Sequence, residues 1–339
     1  MSRRSITILA GSVVAVIAIA LALICPYMFS GTASAAVIRI PYKADEKNLT
    51  DSLTKYFGNA YARRTVKVFN TLADSPASRH GAYEIEEGTS PLTAGRLLAR
   101  GAQTPVSVTI NGVREFMPFA DRIAAKFEFS GDSLRKALSD SALMATYGLT
   151  PEQAPSLFFN DTYYLYWSAT PEDLIRKAGE NYNRFWTPAR RAKADSLGLT
   201  PAQVMTVASI VDEETNKADE KGRVGRLYIN RLHRGMKLQA DPTVRFALKD
   251  FTIRRVTGRH LQEAPEPYNT YKAKGLPPGP IRTTSTATVD SILNSSPSDD
   301  IYMCAREDFS GYHNFASNYD EHLRNARLYQ KALDERGIK

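Results

Sequence analysis

The segment Ala202–Thr215 (AQVMTVASIVDEET) ends in three successive carboxylates, Asp212, Glu213 and Glu214. Upstream of them, Val204, Val207, Ala208 and Val211 fall at i, i+3, i+4 and i+7, the spacing of a helix with one buried stripe. At about 100° per residue the three acids diverge. Glu214 comes almost into register with Val207 and beside Val211. Glu213 points away from the stripe, into solvent, and Asp212 lies on the other shoulder near Met205. A carboxyl at the border of an apolar face is partly stripped of water, which raises its pKa and suits it to donate a proton near neutral pH. The competing reading is an acidic helix end with ordinary surface charges.

Two further segments carry polar chemistry. Leu238–Thr243 (LQADPT) opens a helix with Asp241 as its cap and Pro242 at its first position, so Asp241 reads as a structural residue near the site. Pro267–Tyr271 (PYNTY), followed by Gly275–Gly279 (GLPPG), is a stiff loop dense in hydroxyls and amides. Such a loop suits sugars, whose rings stack on aromatics and whose hydroxyls pair with amides; a proline-stiffened connector is the alternative. His313, beside Asn314 and Phe315, is within reach of a cleft, although a lone histidine is more often structural. No Cys/His spacing resembles a zinc site, and no cofactor motif is present.

The elements that must position these groups follow from local signals. Ala36–Pro41 alternates as a short strand, and Asn48–Phe57 and Tyr61–Leu72 have helical spacing. Tyr83–Ile85 is a strand, and Ser90-Pro91 starts a helix running to Gly101. Val106–Ile110, Asn111-Gly112 and Val113–Phe116 predict a hairpin. Short helices are expected at Asp121–Phe127 and Asp132–Leu138, and a soft boundary falls at the breaker-rich stretch from Thr150 to Pro155. Thr170-Pro171 caps a long helix to about Ala194, Thr200-Pro201 caps another to about Thr215, and a third spans Asp219–Arg234. Ala264–Ile281 reads as loop, Ile301–Ala305 as a strand and Tyr319–Arg336 as a helix. Strands precede helices without βαβ alternation, which argues for an α+β class.

The amino-terminal stretch decides where this chemistry operates. Between Arg4 and Arg39 there is no charged side chain, and Ile6–Ile24 is an apolar run closed by Pro26. Nineteen helical residues span roughly 28 Å, close to the hydrocarbon thickness of a bilayer. Arg3 and Arg4 precede the run, so the amino terminus is expected in the cytoplasm and the remaining mass outside. A cleaved signal peptide competes, because Ala33-Ser34-Ala35 resembles a cleavage site; the run is longer than a usual signal core of about 7–15 residues. Cys25 then lies in the membrane and Cys304 outside it, so no intrachain disulfide is expected. The net charge of +8 favours an anionic partner. Export removes nucleic acid from the candidates and leaves anionic lipid or an anionic polymer.

The strings ASIVDEET, YINRLHRGMKLQADPTVRFAL and YNTYKAKGLPPGPI, with FWTPARRAKADSLGLTPAQVMTVASIV ahead of them, resemble the MltG (YceG-like) family of membrane-anchored endolytic murein transglycosylases. The resemblance implies that Glu214, directly before Thr215, is the catalytic acid and then base. It places Gln239, Tyr268, Asn269 and Tyr271 against substrate. It also implies a reaction without cofactor or metal that cleaves the MurNAc-β-1,4-GlcNAc bond to leave 1,6-anhydro ends and terminates nascent strands, with wall synthases as partners at the inner membrane. Tyr83–Ser90 is similar to the start of a LysM-like glycan-binding module. The resulting organisation is a tail at 1–5, a transmembrane helix at 6–28, an exported region at 36–150 with a LysM-like module at about 83–150, and a helix-rich catalytic domain at 151–339. A non-catalytic, membrane-tethered peptidoglycan-binding scaffold is the competing function.

Overall fold

The computed structural model describes residues 3–337, with side chains from Gly11 onward. Of the tail expected at 1–5, residues 1–2 lie outside the described residues, as do the side chains of Arg3 and Arg4. Helix α1 (Arg3–Phe29) contains a 19-residue stretch, Gly11–Phe29, of mean hydropathy 2.5, with no buried residue and only Cys25–Tyr27 half-covered. Its length and composition fit a single-pass membrane anchor. The helix runs one turn past Pro26, where the sequence suggests closure. Pro26 leaves the carbonyl four residues before it without an N–H, and at the helix end the Ser30 hydroxyl donates to the Pro26 carbonyl, one of the last-turn acceptors. The stem that follows is stitched down. Thr32 is buried, its hydroxyl donates to the Glu86 carbonyl (2.7 Å) and its N–H to the Thr89 carbonyl (3.2 Å). A Cβ on Gly31 would sit 2.7 Å from the Gly88 carbonyl oxygen, so only glycine lets the two backbones approach this closely.

By compactness the chain divides into two units rather than at a single cut near 150. One holds the residues up to 107 with 125–129 and 164–170; the other holds 108–124, 130–163 and the chain from 171 on. In the first, β1 (Ala36–Ile40) pairs antiparallel with β2 (Gly81–Ile85), Ile38 opposite Tyr83. Between them lie α2 (Glu46–Phe57) and α3 (Asn59–Asn70), and after them α4 (Pro91–Arg100), capped by Ser90 as its sequence requires. Ile38, Ile40, Leu49, Leu53, Phe69, Tyr83, Ile85 and Leu98 form the core. The stretch from 83 to 150 is embedded in the chain's two units: its first strand completes a sheet begun at Ala36, and its remainder is divided between both.

The second unit is built around one buried helix. Strand β3 (Pro105–Ile110), whose first three residues fall in the first unit, is followed by α5 (Phe116–Ala124), α6 (Gly131–Leu138) and α7 (Ser141–Ala145). The Asn111-Gly112 hairpin does not form. The Gly112 N–H donates to Asn160 Oδ1, and Val113 exchanges hydrogen bonds with Thr283, so long-range partners take the turn's backbone while β3 pairs with β4 (Asp161–Tyr166). The long helix expected from Pro171 breaks at Pro188 into α8 (Pro171–Phe185) and α9 (Pro188–Ser196), because proline starts a helix more readily than it continues one. Then come α10 (Pro201–Glu214), α11 (Lys221–His233), α12 (Asp241–Leu248), α13 (Gly258–Glu263), α14 (Thr286–Leu293), the antiparallel pair β5 (Tyr302–Ala305) and β6 (His313–Ala316), and α15 (Tyr319–Glu335). Among the described residues, three two-stranded sheets and many helices make a helix-rich α+β fold.

Candidate active site

Helix α10 has no solvent face over its middle turns: every residue from Val204 to Val211 is buried, Thr206 and Ser209 included. Its hydroxyls are satisfied locally, Thr206 donating to the Ala202 carbonyl and Ser209 to the Thr206 carbonyl, while Ser209 Oγ also accepts the Ile281 N–H (3.0 Å). A helix enclosed on all sides delivers its three terminal acids into protein, and each meets different company.

Asp212 accepts from Lys221 Nζ (2.6 Å), Thr288 Oγ1 (2.7 Å) and Thr284 Oγ1 (2.5 Å). Glu213, expected in solvent, has a side chain only 9% exposed. Arg114 grips it with two bonds (2.7 and 2.8 Å), and Arg282 adds a third (2.8 Å). The wheel reading fails for Glu213 because segments distant in sequence supply two guanidiniums on what would otherwise be the outer face. Glu214 has no cationic partner within ion-pair distance among the described residues. Its Oε1 accepts one hydrogen bond, from the Tyr228 hydroxyl of α11 (2.8 Å). Burial pushes its carboxyl up to about 7, and nearby Asp241 adds to the rise; the Tyr228 hydrogen bond and the charges of His313 and Arg245 oppose it. Tyr228 itself is held well above its ordinary pKa by burial and by Glu214, so it stays a donor.

Glu214 lines a cavity of about 580 Å³ with Tyr228, Arg231, Gln239, Asp241, Tyr271 and His313 among its walls. Gln239 adopts a left-handed backbone (φ 52), a conformation that costs a non-glycine residue on the order of 1 kcal/mol. It is held there by its N–H to the Thr270 carbonyl and by Arg231 Nη2, which donates to its Oε1 (2.9 Å). Asp241 is the first residue of α12 and not its cap; Ala240 holds the cap position without a side-chain bond. The Asp241 carboxylate instead takes the Tyr271 hydroxyl (2.6 Å), and burial together with that carboxylate raises the Tyr271 pKa and keeps it protonated. Behind them, His313 Nδ1 meets Glu220 Oε2 (2.8 Å), and Glu220 also takes the His313 N–H and the Thr215 hydroxyl. A buried carboxylate thus fixes the imidazole and the residue next to Glu214. No group of His, Cys, Asp and Glu among the described residues is arranged to hold a metal ion.

With this geometry in view, known proteins supply a frame. Residues 38–328 match the sequence profile of the YceG-like family. The chain belongs to that family. A Bacillus subtilis protein named endolytic murein transglycosylase is 24% identical over 278 residues, 76% of this chain and 74% of that protein. A Streptococcus pneumoniae protein of the same name is 29% identical over 176 residues, which cover 49% of this chain but only 30% of that protein's length. A crystal structure of a yceG-like protein from Listeria monocytogenes shares the fold, with a TM-score of 0.54 at 22% identity over 86% of this chain and 98% of that one.

Within this YceG-like chain, the remaining sequence candidates part company. Tyr271 and Gln239 reach the Glu214 cavity. Asn269 does not: it is fully buried, with Nδ2 donating to the Leu261 and Ala264 carbonyls and Oδ1 accepting the Tyr271 N–H. Its amide is spent on shaping the loop that presents Tyr271. Tyr268 packs on Phe246 (centroids 4.8 Å apart) and lines a separate depression with Pro118, Pro155 and Lys249. Tyr228, Arg231 and Glu220 escaped the sequence reading, since a tyrosine or arginine inside a helix gives no sign of what it faces. His313 belongs to the cavity wall; its strand became visible only through pairing with β5.

Proposed function

We propose that this YceG-like protein is a membrane-anchored endolytic murein transglycosylase that uses Glu214 as its one acid and base. The observation carrying this reading is that, of the two adjacent acids that line the cavity, Glu213 is held by two arginines while Glu214 is left without a cation and raised to about 7. Protonated Glu214 donates to the glycosidic oxygen between N-acetylmuramic acid and N-acetylglucosamine. The resulting carboxylate accepts the proton of the muramyl 6-hydroxyl as that oxygen closes on C1, giving a 1,6-anhydro ring and returning Glu214 to its starting state. The intramolecular nucleophile makes a second carboxylate unnecessary, and neither water nor cofactor is consumed. Because Tyr228 occupies Oε1, the proton is expected on Oε2. Gln239 and Tyr271, each already oriented by a neighbour, are the substrate-positioning groups in this reading, with Asp241 setting the Tyr271 hydroxyl.

The basic residues Arg3 and Arg4 before the apolar run favour a cytoplasmic amino terminus and an extracytoplasmic site. Cleavage within strands close to the membrane would terminate nascent glycan, which places wall synthases among the expected partners. The deciding experiment is mass spectrometry of muropeptides released from peptidoglycan by the purified protein. New 1,6-anhydro ends support the proposal. Reducing ends would replace it with a hydrolase in which Asp241 serves as second carboxylate, and binding without cleavage would replace it with a scaffold.

A further inference from the structure

The Glu214 cavity also carries a group of aromatic residues that proton transfer does not use. Tyr302 of β5 and Tyr319 and His322 of α15 all line it. The Tyr302 and His322 rings stack at 5.1 Å with an interplanar angle of 22°, and Tyr319 closes the group at 5.9 Å from Tyr302 and 6.2 Å from His322. The Arg231 guanidinium, also on the cavity wall, lies 5.6 Å from the Tyr302 centroid, within cation–π reach of that ring. Tyr319 is 59% exposed although it adjoins a cluster able to cover it. An aromatic ring kept open on a cavity wall, backed by two further rings, costs solvation unless something covers it. Burial and Arg231 lower the His322 pKa, which keeps its ring uncharged, and its Nδ1 finds no hydrogen-bond partner.

We infer that Tyr319, supported by Tyr302 and His322, is a stacking subsite for a pyranose ring of the glycan strand, one sugar or more away from the bond that is cut. The inference rests on the transglycosylase reading for the identity of the strand. Its position comes from the β5–β6 ribbon. Tyr302 pairs with Ala316 at one end, and Ala305 pairs with His313 at the other. Three strand residues separate these ends, roughly 10 Å. His313 and Thr215, the residue next to Glu214, share the Glu220 carboxylate, so the His313 end of the ribbon marks the acid and the tyrosine end lies along the strand from it. A pyranose offers an apolar C–H face to such a ring, and the contact is tolerant of what the sugar's other face carries. That tolerance suits a polymer met at any point along its length.

The test uses the full-length protein in detergent carrying Glu214→Gln, so that glycan is bound but not cut. Defined peptidoglycan glycan fragments of one to four disaccharide repeats are titrated calorimetrically. Tyr319→Ala is expected to weaken binding of the longer fragments about tenfold and to leave the single repeat unaffected; Tyr319→Phe should bind as the parent does. Tyr319→Trp gives an optical readout, with indole emission shifting to the blue when the longer fragments bind. Unchanged affinity in Tyr319→Ala, equal weakening at every length, or an indole emission indifferent to glycan would each overturn the subsite. If the wild-type protein cleaves nothing but Tyr319-dependent binding persists, the subsite stands and the transglycosylase reading fails; cleavage without Tyr319 dependence gives the reverse.

Discussion

Asp212 and Glu213 sit one turn-end apart from Glu214 in name only; chemically they occupy another protein. Around the first two, Lys221, Arg114, Arg282 and two threonine hydroxyls satisfy the carboxylate charge. Around the third there is one tyrosine hydroxyl and a cavity. The same side-chain type at adjacent positions becomes a fastener in one place and, in the proposed function, a proton carrier in the other, because only the fasteners were given cations. What distinguishes a reactive acid here is the company withheld from it.

That contrast can be broken most severely at Glu214. Glu214→Gln keeps the shape and the Tyr228 contact but removes the titrating proton, so cleavage measured by muropeptide release should fall at least about 10³-fold with the fold intact by circular dichroism. Breaking the other side should cost stability rather than chemistry. Asp212→Ala leaves Lys221, only 20% exposed, without its anion, and denaturant unfolding should report a loss of about 3 kcal/mol.

The third prediction concerns pH. Glu214 is raised to about 7 from an ordinary value of 4.5, so between those two values the folded state holds a proton that the unfolded chain has released. Stability therefore declines as pH rises through this window. Glu214→Gln removes the decline and should be the more stable protein at pH 8, by roughly 1–3 kcal/mol after allowance for partial exposure, with no advantage below pH 4. Thermal melts of both proteins across pH 4–8 measure the gap. The smallest effect belongs to Tyr228→Phe. Loss of a bond that favours the carboxylate raises the Glu214 pKa further, so the fall of activity on the alkaline side should move up by less than about one pH unit in a rate profile.

Local grammar accounts for what the sequence reveals. Ser90-Pro91 and Thr200-Pro201 start helices because cap and proline act within one turn. The apolar run at the amino terminus and the stripe under Glu214 are likewise visible, since each repeats a pattern along a continuous stretch. Asn111-Gly112 misleads because Asn160 and Thr283, far along the chain, claim the backbone of the turn. Glu213 misleads for a related reason: a helical wheel has an outside, and α10 does not. Asn269 carries the right chemistry for a sugar ligand but spends it on its own loop. Strand β6 is four residues long and gains its identity from β5, so His313 could be noticed as a residue but not placed on a wall.

The stitched stem has a consequence for how the protein finds its work. Only Ser30 and Gly31 separate the end of α1 from Thr32, which is already fastened to the folded unit, so the slack is on the order of 10 Å. With α1 in a bilayer, that unit travels at nearly fixed height and cannot swing outward on a tether. Whatever that unit meets is then confined to a thin layer above the lipid, and its search becomes one of diffusion in a plane. Confinement of this kind raises local concentration without any added affinity.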